Sequence, residues 1–205
     1  MKKLGIAVVV FAVLVVGTVA IFAALLLRGG VSAKIEPTRV EAVVARKLRS
    51  LAIPAASRRL RNPVPAAHDA IAAGEAHFAD HCAICHANNG SGQTEMGRNL
   101  YPRTPDLRRS QTQGLTDGEL FYIIENGVRL TGMPGFGDGS EESQNGSWHL
   151  VTFIRYLPHL STEEKLSMER LNPKSPDEWR EMQQDEEFLK GDEATEPAKK
   201  EPHHH

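Results

Sequence analysis

From Leu4 to Leu27 the chain runs for 24 residues without a charged side chain, rich in Val, Ala, Leu and Ile. At 1.5 Å rise per residue such a run crosses a hydrocarbon core of about 30 Å as a helix. A cleaved signal peptide has an apolar region of about 7–15 residues, and this one is longer. A weak small-residue cleavage site does exist at Val31-Ser32-Ala33. The expectation is an uncleaved N-terminal membrane anchor over residues 1–30. The remainder of the 205 residues leaves room for one ordinary domain with attachments.

Charge divides that remainder. Residues 28–65 carry net +7, residues 66–160 net −5 and residues 161–205 net −6. The formal net charge of −2 speaks against a nucleic-acid binder. Hydrophobic content of 40% with 24% charged residues is that of a folded chain. In residues 31–65, Val40, Val43, Val44, Leu48 and Leu51 recur at helical spacing, and Arg46, Lys47 and Arg49 are read as lying off that stripe. This predicts a basic amphipathic stalk. It would lie on anionic lipid, or pack on the next domain or a partner subunit. Pro54, Pro63 and Pro65 mark the boundary to the body.

The chain has two cysteines, and both fall in Cys82-Ala83-Ile84-Cys85-His86. Two cysteines rule out a disulfide scaffold and a four-cysteine zinc or iron–sulfur site. C-x-x-C-H is the attachment pattern of haem c. Two thiols one helical turn apart can each form a thioether to one porphyrin edge, and the next residue presents an imidazole to the iron. A thioredoxin-type C-x-x-C would follow a strand, whereas here the preceding flank is helical and the following one is rich in Gly and Asn. A plain disulfide would leave His86 unexplained.

The rest of the body is expected to supply helices and a second axial ligand. Residues 66–81 read as a helix with Ile71, Gly74 and Phe78 on one side, and residues 87–113 as loop. Thr116-Asp117-Gly118-Glu119 is a capping box opening a helix to Asn126, closed by Gly127. Ser147 is expected to cap a helix Trp148–Leu157. Between them lies Thr131-Gly132-Met133-Pro134-Gly135-Phe136. Met133 is the candidate distal iron ligand, because its thioether is a soft neutral donor held in a shaped loop. Met96 is close behind His86, Met168 lies beyond the last core helix, and His149 and His159 flank that helix. A buried methionine more commonly fills a core.

With Gly74, Phe78, the Cys82–His86 motif, the Gly132-Met133-Pro134 loop, Phe153 and Tyr156 in view, residues 66–160 resemble a class I cytochrome c domain. The Gly-Met-Pro-Gly-Phe loop is similar to those of bacterial membrane-anchored monohaem cytochromes. The resemblance implies an all-α fold around one covalent haem c. It implies that Gly74 and Phe78 meet Phe153 and Tyr156, and that a loop proline, here Pro105 of Pro105-Asp106-Leu107, accepts from the proximal His86 Nδ1. Such a bond orients the imidazole and raises its basicity.

The cofactor-binding residues expected are therefore Cys82, Cys85, His86, Met133 and Pro105, with His86 and Met133 as the iron ligands. An iron with both axial positions filled by protein carries electrons singly. The expected partners are redox proteins in or at the lipid bilayer, with a place as a subunit of a larger respiratory complex as a variant of that reading. Loss of Met133 from the iron would instead open a gas-sensing or peroxidase site. Arg46, Lys47 and their basic neighbours put the wrong side outward by the positive-inside count. The haem-attachment chemistry, by family resemblance a task of the bacterial periplasm, places the body there. Residues 161–205 read as an acidic extension. Ser161-Thr162-Glu163-Glu164 opens a short helix to Leu171, Asp177–Leu189 reads as another, and a disordered tail follows from Gly191.

Overall fold

The computed structural model describes residues 2–28, 32–173 and 180, and these are all helical or irregular, without a strand. The expected helix Asp177–Leu189, apart from Arg180, and the tail after it lie outside the described residues. Helix α1, Lys2–Arg28, contains the stretch Gly5–Ala24, which is long and apolar enough to cross a membrane. None of that stretch packs against the rest of the molecule.

Helix α2, Arg39–Ala52, opens with a capping box. The Thr38 hydroxyl accepts from the Glu41 N–H at 3.2 Å, and the Glu41 carboxylate accepts from the Thr38 N–H at 2.7 Å. Pro54 stops the helix one residue after Ile53, which is buried. The short α3, Ala55–Arg58, then turns the chain toward the body. The Arg58 guanidinium donates to the Ser50 and Ile53 carbonyls and so bonds α3 to the end of α2. Where α3 meets the body, a Cβ on Gly118 would overlap the Ser57 carbonyl and press on Leu60. Asn62 completes the junction, donating to the Trp148 carbonyl at 3.1 Å and the Thr152 hydroxyl at 2.9 Å while accepting from the Val64 N–H.

The body is built on two crossing helices. Helix α4, His68–His77, passes without a break into a π-helical turn, Phe78–Cys82, and then α5, Ala83–His86. The Ala83 N–H donates to the Phe78 carbonyl five residues back, so the turn holds one residue more than an α-helix would. The expected helix 66–81 is thus present with a changed pitch just before the cysteines. Helices α6, Glu95–Asn99, and α7, Ser110–Gln113, interrupt the stretch expected to be all loop.

Helix α8, Asp117–Asn126, begins on the Thr116–Glu119 capping box and ends at Gly127, as the sequence indicates. Helix α9, Glu141–Tyr156, begins seven residues earlier than expected, with Ser140 as its N-cap. Ser147 is no cap: it lies inside the helix, buried, and donates to the Glu125 carboxylate at 2.5 Å. Its hydroxyl serves a side chain of α8 instead of a free helix-end N–H. A 3₁₀ turn, Leu157–His159, leads to α10, Thr162–Leu171, opened by the Ser161–Glu164 capping box.

Helices α4 and α9 touch at Gly74. A Cβ there would overlap the His149 carbonyl and lie 2.8 Å from the Phe153 Cβ. Only glycine lets the two backbones approach so closely. Phe78, one turn on, meets Phe153 with ring centroids 5.2 Å apart. Tyr156 packs against the cluster that holds Phe78 and Phe153, and its hydroxyl donates to the Glu164 carboxylate at 2.8 Å, binding the last turn of α9 to α10. Phe78, Phe153, Leu150, Val151, Leu157 and Met168 are fully buried in one cluster. Burying each large side chain of this kind contributes about 1.5–3 kcal/mol. Phe121 stacks on Trp148 at 4.1 Å and joins α8 to α9.

Candidate functional site

The Cys82–His86 motif occupies the end of the α4–α5 rod, immediately after the π turn. Both cysteines are free thiols and half-buried. Burial, with Cys85 close by, pushes the Cys82 thiol up to about 12, and burial raises Cys85 as well. Neither is a thiolate of the kind a redox-active pair employs. His86 is buried, and its ring lies 6.3 Å from that of Phe78. Burial pulls its pKa down to about 4, against an opposing pull from the Pro105 main chain. The imidazole is therefore neutral at physiological pH, with a lone pair free for a metal.

The segment after the motif folds back over it. Ala87 adopts a positive φ of 60° and reverses the chain. The His86 carbonyl accepts from the Gly92 N–H at 2.8 Å, and the Cys85 carbonyl accepts from the Thr94 hydroxyl at 3.2 Å. Gly92 packs against the Thr104 and Pro105 carbonyls, and a Cβ on Gly97 would overlap the Cys85 carbonyl. Leu107 donates its N–H to the Gly90 carbonyl at 2.8 Å. This backbone-on-backbone packing brings Pro105 to His86. Proline has no N–H, so it is the Pro105 carbonyl that faces the imidazole. The His86 Nδ1 is buried and has no partner at full hydrogen-bond geometry, so the approach of this carbonyl is looser than a formed bond. Asp106 fixes the strand of loop beyond it, with two bonds to the Arg108 guanidinium at 2.8 and 2.9 Å and one to Arg109 at 3.2 Å. The Arg108 bonds hold the Asp106 carboxyl at about 2.

Met133 sits on the second loop, between α8 and α9, and is half-buried. The loop is anchored to the end of α8: Val128 donates its N–H to the Met133 carbonyl at 3.0 Å, and Phe136 donates to Ile124 at 2.9 Å. The Met133 N–H donates to the Thr131 hydroxyl at 3.1 Å. The two loops touch where Gly132 packs against the Leu100 side chain. Among the alternatives, Met168 is wholly buried in the core, Met96 is half-exposed on α6, and His149 Nδ1 donates to the Asn145 carbonyl at 2.8 Å. His159 is exposed beside Tyr156.

Thus the structure gathers Cys82, Cys85, His86 and Pro105 at one end of the crossing helices, with the Met133 loop joined to the same end through Leu100. Sequence reading missed Thr94, Gly92 and Gly97, whose packing shapes the loop over the motif. A signal was present, since Thr94 stands directly before Glu95 as a helix cap would. The free adjacent thiols and the buried neutral imidazole fit covalent haem.

A helical crossing at Gly74 and Phe153 with C-x-x-C-H at one end defines a class I c-type cytochrome domain, and such a domain carries covalently bound haem c. Residues 69–154 match the family model described as cytochrome C oxidase, cbb3-type, subunit III, so this part of the chain is a c-type cytochrome domain. The match covers less than half of the chain and leaves α1 to α3 and α10 outside it. No curated protein matches the chain.

Proposed function

We propose that the chain is a membrane-anchored monohaem cytochrome that passes single electrons between redox proteins at a bilayer. Haem bound through Cys82 and Cys85 supplies a one-electron couple between ferrous and ferric iron. His86 serves as the proximal ligand, and its neutral imidazole is suited to the task. The Pro105 carbonyl is the group that orients this ring. Met133 serves as the distal ligand, and a thioether there favours the reduced state relative to a second imidazole. With His86 and Met133 both holding the iron, the group would pass electrons rather than activate a substrate. The membrane anchor is α1, and the body stands in the periplasm, where the cysteines are matured. Confinement to the bilayer raises the effective concentration of partners.

The observation that carries this reading is the C-x-x-C-H motif at the end of a crossing helix in a c-type cytochrome domain. The match to a cbb3-type oxidase subunit supports a partner in a larger respiratory complex. A pyridine haemochrome assay and intact mass on matured protein test the cofactor. The Met133→Ala variant tests the ligand. It should lose the sulfur-to-iron band of the ferric low-spin form, and its reduced form should bind CO. If the band survives, Met133 is not the ligand. Rapid stoichiometric CO binding by the unsubstituted protein would favour the gas-sensing or peroxidase reading.

A further inference from the structure

Helix α2 presents its apolar stripe away from the body. Val40, Val43, Val44, Leu48 and Leu51 are between 49% and 69% exposed. The opposite side is the one that meets the body. There Ala42 and Arg49 are half-buried and Ile53 is buried, while at the edge of the stripe, one turn from Val44, Glu41 accepts from the Tyr101 hydroxyl at 3.3 Å. Glu36, just before the helix, pairs with Arg103 at 2.6 Å. Helical geometry also corrects one reading: Lys47 lies one turn from Val43, Val44 and Leu51, so it belongs to the apolar side. It stands within the stripe, while Arg39 and Arg46 run along the edge beside Val43.

We propose that α2 is an in-plane membrane helix, its Val40–Leu51 stripe seated at the headgroup boundary of an anionic bilayer and Arg39, Arg46 and Lys47 engaging lipid phosphates. The inference rests on the reading of α1 as the membrane anchor. Three observations choose lipid over protein. The stripe is turned outward, holds Lys47 within it and has Arg39 and Arg46 along one edge, which suits an anionic interface. Residues 29–38 join it to α1 and span at most about 35 Å even when extended, so the bilayer surface is always within reach. The whole segment 28–65 carries net +7 beside a body and extension that are both net negative. Such a seat would fix the tilt of the body through the Glu41–Tyr101 and Glu36–Arg103 contacts.

The test uses the full-length holoprotein in nanodiscs of phosphatidylglycerol or of phosphatidylcholine, read by amide hydrogen exchange. In phosphatidylglycerol, residues 40–51 should exchange about tenfold more slowly than in the double variant Val44→Glu/Leu48→Glu, and more slowly than in phosphatidylcholine. Both positions are exposed, so the variant should keep its fold, and unchanged exchange over Leu150–Ile154 verifies this. Equal exchange in variant and unsubstituted protein, with residues 5–24 protected, overturns the inference and leaves the anchor standing. Unprotected residues 5–24 overturn both. Protection of α2 that appears only when each disc holds two copies assigns the stripe to a second chain and also overturns the lipid seat.

Discussion

The Phe78 ring packs 5.2 Å from Phe153 while standing 6.3 Å from the His86 imidazole. One side chain thus joins the crossing of α4 and α9 to the motif. The same crossing is closed by Gly74, and this makes it sensitive to the smallest side chain. Gly74→Ala should gain about 1 kcal/mol of helix propensity. It should lose more, about 2–3 kcal/mol, because the opposing atoms are the His149 carbonyl and Phe153 Cβ and cannot move aside cheaply. Denaturant unfolding should therefore show a net loss, whereas a net gain would mean that the helices can separate.

Asp106 gives a stability term with a defined pH window. Its carboxyl, held at about 2 by Arg108, titrates near 3.9 when unfolded. A depressed carboxylate stabilises the fold above its unfolded pKa, and that contribution disappears as pH falls through the folded value. Asp106→Asn should cost about 1 kcal/mol at neutral pH, after allowance for solvent screening. The gap to the unsubstituted protein should shrink below about pH 4 and vanish only below about pH 2. Thermal melts of both proteins over that range check this, and a gap independent of pH would assign the effect to packing.

Arg155 reaches from α9 to the entry of α8. It donates to Asp117 at 2.8 and 2.9 Å, to the Gln113 carbonyl at 2.7 Å and to the Leu115 carbonyl at 2.5 Å. The fork of a guanidinium satisfies all of these at once and an ammonium does not. Arg155→Lys should lower stability by about 1–2 kcal/mol in equilibrium unfolding despite its conserved charge. Full retention of stability would show that charge alone suffices.

Asn62 fastens the segment after α3 to α9. Asn62→Ala should leave the global unfolding midpoint nearly unchanged, since the Thr152 hydroxyl and the Trp148 carbonyl keep their own bond at 3.2 Å, but free the segment locally. Trypsin should then cut at Arg58, Arg59 or Arg61 several-fold faster than in the unsubstituted protein. Unaltered cleavage would mean that the Gly118 contact with Ser57 holds the segment by itself.

The parts of this fold legible in the sequence are those decided by a few neighbouring residues. The Thr116 and Ser161 capping boxes, the Gly127 stop and the C-x-x-C-H spacing are all local. The start of α9 was not, because Glu141 to Gly146 are polar and largely exposed, so no apolar period betrays two turns of helix. Ser147 looked like a cap since its partner, Glu125, is distant in sequence. The π turn was equally hidden, because one surplus residue leaves no compositional trace. Of the candidate site, the motif is local and Pro105 does come near His86, but the expected bond from the imidazole is not made, because the carbonyl's approach is set by the packing of Gly92 on the Thr104 and Pro105 backbone. The roles of Gly92 and Gly97 could not be anticipated, because their need for a missing Cβ arises only when the loop lies against the Cys85 and Thr104 carbonyls.

That surplus residue between Phe78 and Cys82 divides one continuous rod into two halves that are out of phase. Ala70 and Gly74 are aimed by the requirements of the scaffold, and Cys82, Cys85 and His86 by those of the chemistry. The offset between them absorbs the mismatch. Each half can therefore drift in sequence toward its own optimum without dragging the other around the axis.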